Sequence, residues 1–397
     1  MLSAKTKNQQ IIQLIQLQST QIEQLKKQAY SCPICNEPVF IKNGKIKQPH
    51  FAHKKQSQCS VARQGETEEH RTLKRVFARW CEQDRLAYKV EHYLPSLRQI
   101  PDILIDHLVI ELQCSSLSVQ RLVERTETYH KAGYFPVWLC GNTLAHTKHS
   151  LSYLGKNFCS YSHEKGFYIW QVDLKKQELR LYYHLEENHQ GQLYFTCQCW
   201  PFFQNRLLDI LNTPHIQEKP TNRKHAVGQL MREYYYDLMK KSQKRNSQIR
   251  LIQSTLYQDG LHLLQLPIWF YYPGIRLFYC QKSEILLKAA IWNWLQTVNQ
   301  AVIHYQDLQQ ELYTIFLKVR PFFYDFPLIS KTDLFSYYFQ QLFSSLIQCQ
   351  HLCQKSDNTW LVNVQSNSET QASIQKALQQ FEKKNLISAI PMKSMIR

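Results

Sequence analysis

A mixed α/β fold is predicted for this chain, with a small Cys/His module before an α/β core and a mixed, mostly helical region after it. Three observations predict this. Residues 65–140 read in the order helix, three strands, helix, strand, the pattern of an α/β core. Before them, residues 31–60 form a short polar stretch bearing Cys32-x2-Cys35 and His50-x2-His53. Beyond about residue 213 the chain is mostly of helical pattern, with aromatic groups such as Tyr234 to Tyr236.

The elements follow in chain order. Residues 1–30 are ambiguous, because Ile11, Ile12, Leu14, Ile15 and Leu17 suit a helix or a strand. A helix is expected from near Gly65 to about Gln83, with Leu73, Val76, Phe77 and Trp80 on one face. Residues 87–94 read as a strand. Residues 103–105 and 108–112 are apolar runs separated by Asp106-His107, so they read as a hairpin. A second helix over 117–132 is closed by Gly133, and 135–140 (FPVWLC) is a buried strand. Three further strands (167–172, 178–185 and 192–199) read as a β-meander, and 212–223 as a linker. The expected divisions are 1–60 for the Cys/His module and 61–148 for the α/β domain. The meander extension takes 149–212, and the basic, helical C-terminal region 213–397.

Composition limits the function. The 397 residues suffice for two or three domains. With 48 Lys and Arg against 31 Asp and Glu, the net charge is +17, which favours a polyanionic partner over a neutral one. The Lys240 to Arg250 segment is strongly basic. Neither GxxxxGK[ST] nor GxGxxG occurs among only ten glycines, so no nucleotide cofactor is expected, and GxSxG is absent too. No stretch reaches the roughly 18 apolar residues of a membrane span. No leader pattern precedes residue 30. The chain thus reads as soluble and cytoplasmic, with its twelve cysteines mostly reduced.

The sharpest pair of residues is Asp102 and Glu111. An acid in an apolar strand costs burial energy unless paired or bound to a cation. The hairpin brings the Asp at the start of one strand near the Glu at the end of the next. Two close carboxylates with a third oxygen ligand suit Mg²⁺ or Mn²⁺, which can activate water against a phosphodiester. The alternative is a half-exposed hairpin with solvated acids. Glu66, His70 and Lys74 share a helix face at i, i+4 and i+8. They suit a third ligand and two phosphate contacts, although acids near a helix start also arise from the dipole alone. Ser115 and Ser118 precede a helix bearing Arg121, Arg125 and Tyr129. That arrangement reads either as a phosphate cradle or as N-capping with a solvated basic face. Cys32, Cys35, His50 and His53 suit structural Zn²⁺, with Cys59 a spare thiol nearby; a reduced, metal-free CxxC turn and histidines contacting DNA phosphate are the alternatives.

The pair Pro101-Asp102 followed by Glu111-Leu112-Gln113 resembles the PD-(D/E)XK nuclease core, with Gln113 where Lys usually stands. More widely, residues 31–141 resemble the competence protein CoiA family. The resemblance lies in CPIC (32–35), PHFAH (49–53), the Glu66…His70…Lys74 helix, IPDILI (100–105), ELQCSSLS (111–118), ERTETYH (124–130) and YFPVWLCG (134–141). It implies a restriction-endonuclease-like core with Glu66, Asp102, Glu111 and Gln113 at the metal-site positions. It further implies a protein of natural transformation that acts on incoming, single-stranded DNA and promotes its recombination alongside recombination proteins. On the residues, Gln113 would orient the attacking water, while Lys74 and Arg125 would supply positive charge. The alternative is a DNA-binding or partner-binding protein with a degenerate nuclease fold.

Overall fold

A computed structural model of the chain describes residues 1–15, 17–44, 49–54, 57, 59, 67–142, 144, 150–212, 227–244, 246–272, 275–276, 280, 283–319, 323–364 and 371–383. Glu66 and most of the expected linker lie outside the described residues. The N-terminal module resolves the ambiguity of residues 1–30 mainly in favour of strands. β1 (Ser3–Thr6), β2 (Ile11–Gln13), α1 (Ser19–Leu25), β3 (Tyr30–Ser31), β4 (Pro38–Lys42) and β5 (His50–His53) follow one another. The strands pair antiparallel in the order β2-β1-β3-β4-β5. A small core of Ala4, Leu14, Ile22, Tyr30, Val39 and Phe51 fills one face.

The central segment begins with α2 (Glu68–Gln83). Thr67 caps it, its side chain accepting from the His70 N–H, and Glu68 and Glu69 complement the dipole in the first turn. β6 (Tyr88–Val90), β7 (Ile103–Ile105), β8 (Leu108–Gln113), α3 (Val119–Lys131) and β9 (Phe135–Cys140) complete the expected order. β7 and β8 form the hairpin, with Ile103 opposite Ile110, and Asp106 takes a left-handed conformation in the turn (φ 49°), which Asp tolerates. β8 and β9 run parallel, as a crossover through α3 requires.

The meander extends this sheet. After α4 (Tyr153–Asn157) come β10 (Ser160–Ser162), β11 (Gly166–Asp173), β12 (Glu178–Asn188), β13 (Leu193–Pro201) and α5 (Leu207–Asn212). β11 pairs in parallel with β9, Trp170 opposite Leu139. Among the described residues the strand order is β13-β12-β11-β9-β8-β7-β6. Alternation along each strand then divides the sheet's two faces. Ile110, Leu112, Leu139, Trp170 and Val172 pack against Leu73, Phe77 and Trp80 of α2. Val109 meets Tyr129 of α3 on the other face, where Trp138, Cys140 and Ile169 join the core of the C-terminal region.

That last region is mostly helical. It comprises α6 (Val227–Gln243), α7 (Ser247–Gln258), β14 (Ile275–Arg276), α8 (Glu284–Thr297), β15 (Val302–His304), α9 (Tyr305–Val319), α10 (Lys331–Gln348), β16 (Leu352–Ser356), β17 (Thr359–Val362) and α11 (Gln371–Lys383). Many of its aromatic residues are core, Tyr235, Trp269, Phe270, Trp292 and Tyr338 among them, while Tyr236 and Tyr257 stay exposed. β15-β17-β16 form a small sheet that the helical pattern concealed. Among the described residues, no helix is long and apolar enough to cross a membrane.

Candidate functional site

The hairpin register, continued one step past Ile103 and Ile110, sets Asp102 opposite Glu111. Both are nearly enclosed, with 8% and 3% of their surface exposed. A buried carboxylate must be matched by donors or cations, and each of these is matched from a different helix. Asp102 Oδ2 accepts the backbone N–H of Leu112 at 2.8 Å and lies 2.8 Å from His70 Nε2. Lys74 Nζ is 3.8 Å from the other oxygen, Oδ1. His70 and Lys74 are one turn apart on α2, so the helix presents both to the acid. Glu111 Oε1 accepts from Arg125 Nη2 and, at 2.6 Å, from the Tyr129 hydroxyl. These residues are likewise one turn apart, on α3. Arg125 also donates to the Ile100 carbonyl at 3.3 Å and lies over the Trp138 ring, 5.5 Å from its centre.

The two acids differ in proton affinity. Burial opposes the charge on Asp102, but the charge and hydrogen bond of His70, with Lys74 and the Leu112 N–H, hold its carboxyl below the usual range. Burial dominates at Glu111, against the pull of Arg125 and with the neighbouring charge of Asp102 added, and pushes its carboxyl up to about 7. Burial opposes the charge on Arg125 too, but Glu111, together with Tyr129 and Asp102, outweighs it and keeps the guanidinium charged. Each carboxylate gives one oxygen to protein donors. The other, Asp102 Oδ1 and Glu111 Oε2, takes no hydrogen bond among the described residues. Two neighbouring carboxylates with an oxygen in hand are a hard-oxygen donor set, the kind a divalent cation such as Mg²⁺ or Mn²⁺ takes.

The remaining sequence-predicted residues fall into place as follows. Gln113, two positions beyond Glu111 on β8, donates Nε2 to the Ser115 carbonyl at 2.8 Å. Ser118 is the N-cap of α3, accepting from the Arg121 N–H at 3.2 Å. Arg121 is half-exposed and pairs with Glu124 at 2.8 Å. Tyr129 has no exposed surface, so its hydroxyl supports Glu111 and is closed to a phosphate; His70 and Arg125 are likewise turned to the acids. Two acids escaped the sequence reading. Glu69 reaches the end of β8: a Cβ on Gly141 would meet its Oε1 and Cys114 Sγ, both at 3.2 Å, so a side chain there would have to push one of them aside. Glu91, which follows β6, bonds Lys74. A buried acid directly after the apolar Val90 was the available signal.

A second cluster lies in the N-terminal module. Ligand atoms of Cys32, Cys35, His53 and Cys59 all lie within 4.8 Å of one another. Cys32 and Cys35 flank the turn between β3 and β4, where the Ile34 N–H points at Cys32 Sγ at 3.4 Å, and Cys35 Sγ is 3.4 Å from His53 Nε2. His50, expected as a ligand, is not in the group. Strand alternation turns Phe51 and His53 to one face of β5 and His50 to the other, and Cys59, the spare thiol, completes the set. Burial pushes the Cys32 thiol up to about 12 and raises Cys35 as well, so these two thiols ionise readily only with a cation present. Three thiolates and one imidazole are a donor set suited to tetrahedral zinc.

Comparison with known proteins points the same way. The family model described as "Competence protein CoiA, nuclease-like domain" matches residues 66–215, and "Competence protein CoiA, N-terminal domain" matches 14–62. The chain belongs to the competence protein CoiA family. The competence protein CoiA of Bacillus subtilis (strain 168) is 31% identical over 129 residues, which are 32% of this chain and 35% of that protein. The match thus spans about a third of the relative. No solved structure matches the chain. The CoiA nuclease-like domain contains both acids together with the whole meander, in keeping with the continuous sheet, and the CoiA N-terminal domain contains the Cys/His cluster.

Proposed function

We propose that this chain acts in natural transformation as a divalent-metal-dependent nuclease on incoming DNA, through a restriction-endonuclease-like core. The observation that supports this reading is the buried pair Asp102 and Glu111, each with one oxygen hydrogen-bonded to protein donors and one that takes no hydrogen bond among the described residues. Asp102 and Glu111 would hold Mg²⁺ or Mn²⁺, with Glu66 a candidate third ligand, and zinc would stay structural in the N-terminal module. When bound, the cation would supply an activated water and neutralise charge on the phosphodiester.

The chain's own residues do the remainder. Arg125 and Tyr129 lock Glu111 in one rotamer, and His70 with the Leu112 N–H does so for Asp102; fixed ligands need no reorganisation during reaction. Lys74, whose ammonium lies 3.8 Å from Asp102 Oδ1, takes the charge-stabilising role that Gln113 lacks. Gln113 keeps its carbonyl oxygen clear of hydrogen bonds among the described residues, and that oxygen is available to orient water. Ser115, Ser118 and Arg121, at the solvent-facing start of α3, are the candidate phosphate contacts. The +17 charge favours DNA as the partner.

A second reading also has an observation behind it. Arg125 and Lys74 already balance the acids, and Gln113 stands where the motif has Lys, as they would in a fold that binds DNA or a recombination protein without cutting. End-labelled single- and double-stranded DNA, incubated with Mg²⁺, Mn²⁺ or EDTA, separates the two. Cleavage that requires the metal and falls at least about 100-fold in Asp102→Asn or Glu111→Gln supports the nuclease. Intact DNA bound equally by all three proteins supports the binding role.

A further inference from the structure

Glu91 is a buried acid to which the mechanism above assigns no part. It is 5% exposed and has a φ of 46°, a left-handed conformation that a non-glycine residue keeps only when its surroundings hold it. Those surroundings are specific. Its N–H donates to the Asp102 carbonyl at 3.1 Å. Its Oε2 accepts the backbone N–H groups of Leu2 and Ser3 at 2.6 and 2.9 Å, and the Ser3 hydroxyl at 3.1 Å. Its Oε1 accepts from Lys74 Nζ. The donors at Leu2 and Ser3 belong to the N-terminal module, where the Phe51 N–H of β5 in turn donates to the Met1 carbonyl at 2.9 Å.

One ammonium therefore lies between two carboxylates, bonded to Glu91 and 3.8 Å from Asp102 Oδ1. We propose that Glu91 is a positioning residue: held by the N-terminal strand, it draws Lys74 away from Asp102 and keeps Oδ1 open for a divalent cation. The N-terminal module thereby completes the site of the neighbouring domain. A buried ammonium needs a counter-charge. With Glu91 neutralised, the acid left beside Lys74 among the described residues is the metal-binding one, and the protein's own cation then competes with the bound metal. The inference rests on the metal-site reading of the proposed function, and the test treats the two separately.

The test compares the full-length wild type with E91Q, K74Q and E91Q/K74Q, by crystal structure and by Mn²⁺ titration followed by electron paramagnetic resonance. In E91Q, Lys74 Nζ is expected within hydrogen-bond distance of Asp102 Oδ1, with Mn²⁺ bound at least about ten-fold more weakly. In E91Q/K74Q, affinity is expected to return to within about three-fold of wild type, the non-additivity of a coupled pair. Lys74 remaining in place in E91Q, or a double variant as weak as E91Q, overturns the proposal, because a purely structural role for Glu91 predicts no rescue. Should E91Q fail to fold, E91D, which keeps the charge but draws the carboxylate back from Lys74, enters the same cycle, with the same shift of Lys74 towards Asp102 expected. A wild type that takes up no Mn²⁺ overturns the metal site of the proposed function, and the position of Lys74 in the E91Q crystal then decides the role of Glu91.

Discussion

Glu111 sets the chemistry of the site at the scale of a single side chain. Its carboxyl, up at about 7 through burial, stands above its value of 4.5 in an unfolded chain. Its contribution to stability is therefore fully present below about pH 4.5 and is lost as pH rises through about 7. Wild type should lose stability relative to Glu111→Gln across that window, as measured by urea unfolding at a series of pH values. Saturating Mg²⁺ should flatten the difference, because a bound cation favours the charged form. A pH-independent gap would mean that Glu111 is not held out of water. The acids themselves were legible in the sequence because polar residues interrupt apolar strands at 102 and 111. The roles of Arg125 and Tyr129 were only half legible. Helical spacing placed them on one face of α3, but only the packed sheet shows that this face meets Glu111.

At the scale of elements, the start of α3 and the turn between β3 and β4 each invite a test. Ser118 was open to two readings, cap or phosphate cradle, and its hydroxyl does cap the Arg121 N–H. Ser118→Ala should cost about 1 kcal/mol of stability in urea. A DNA affinity that falls as well would add the cradle to the cap, and an unchanged affinity would leave the cap alone. In the N-terminal module, Cys59→Ser should lose bound zinc and lower the melting temperature as much as Cys32→Ser does, whereas His50→Ala should retain one equivalent. Metal content by mass spectrometry checks both, since binding at such sites is coupled to folding. The C-x2-C and H-x2-H spacings named three members of the cluster, Cys32, Cys35 and His53. That His50 stands outside it and Cys59 inside depended on which face of β5 turns inward and on where residue 59 returns, which spacing does not encode.

For the whole molecule, the +17 charge predicts DNA binding that weakens steeply with salt. Affinity measured by fluorescence anisotropy should fall at least about ten-fold between about 50 and 200 mM salt. Salt-independent binding would remove the basic surface from the account. The molecule is also more continuous than its sequence divisions. β11 pairs with β9 across the expected boundary near residue 148, and the C-terminal helices share a core with Trp138 and Ile169. Most of the large apolar residues described in that region accordingly pack into the core, with Tyr236 and Tyr257 among those left exposed.

Local patterning determined much of this protein. Periods of two and of 3.6 placed the core helices and strands to within a few residues, and the motif spacings singled out Asp102, Glu111 and the CxxC turn, because such signals depend only on neighbours along the chain. What the tertiary structure alone decided were contacts between residues far apart in sequence: Cys59 in place of His50, Tyr129 against Glu111, and Leu2 and Ser3 on Glu91. Those depend on register, on strand face and on which segments return to the same place, and a linear sequence carries no local mark of any of them.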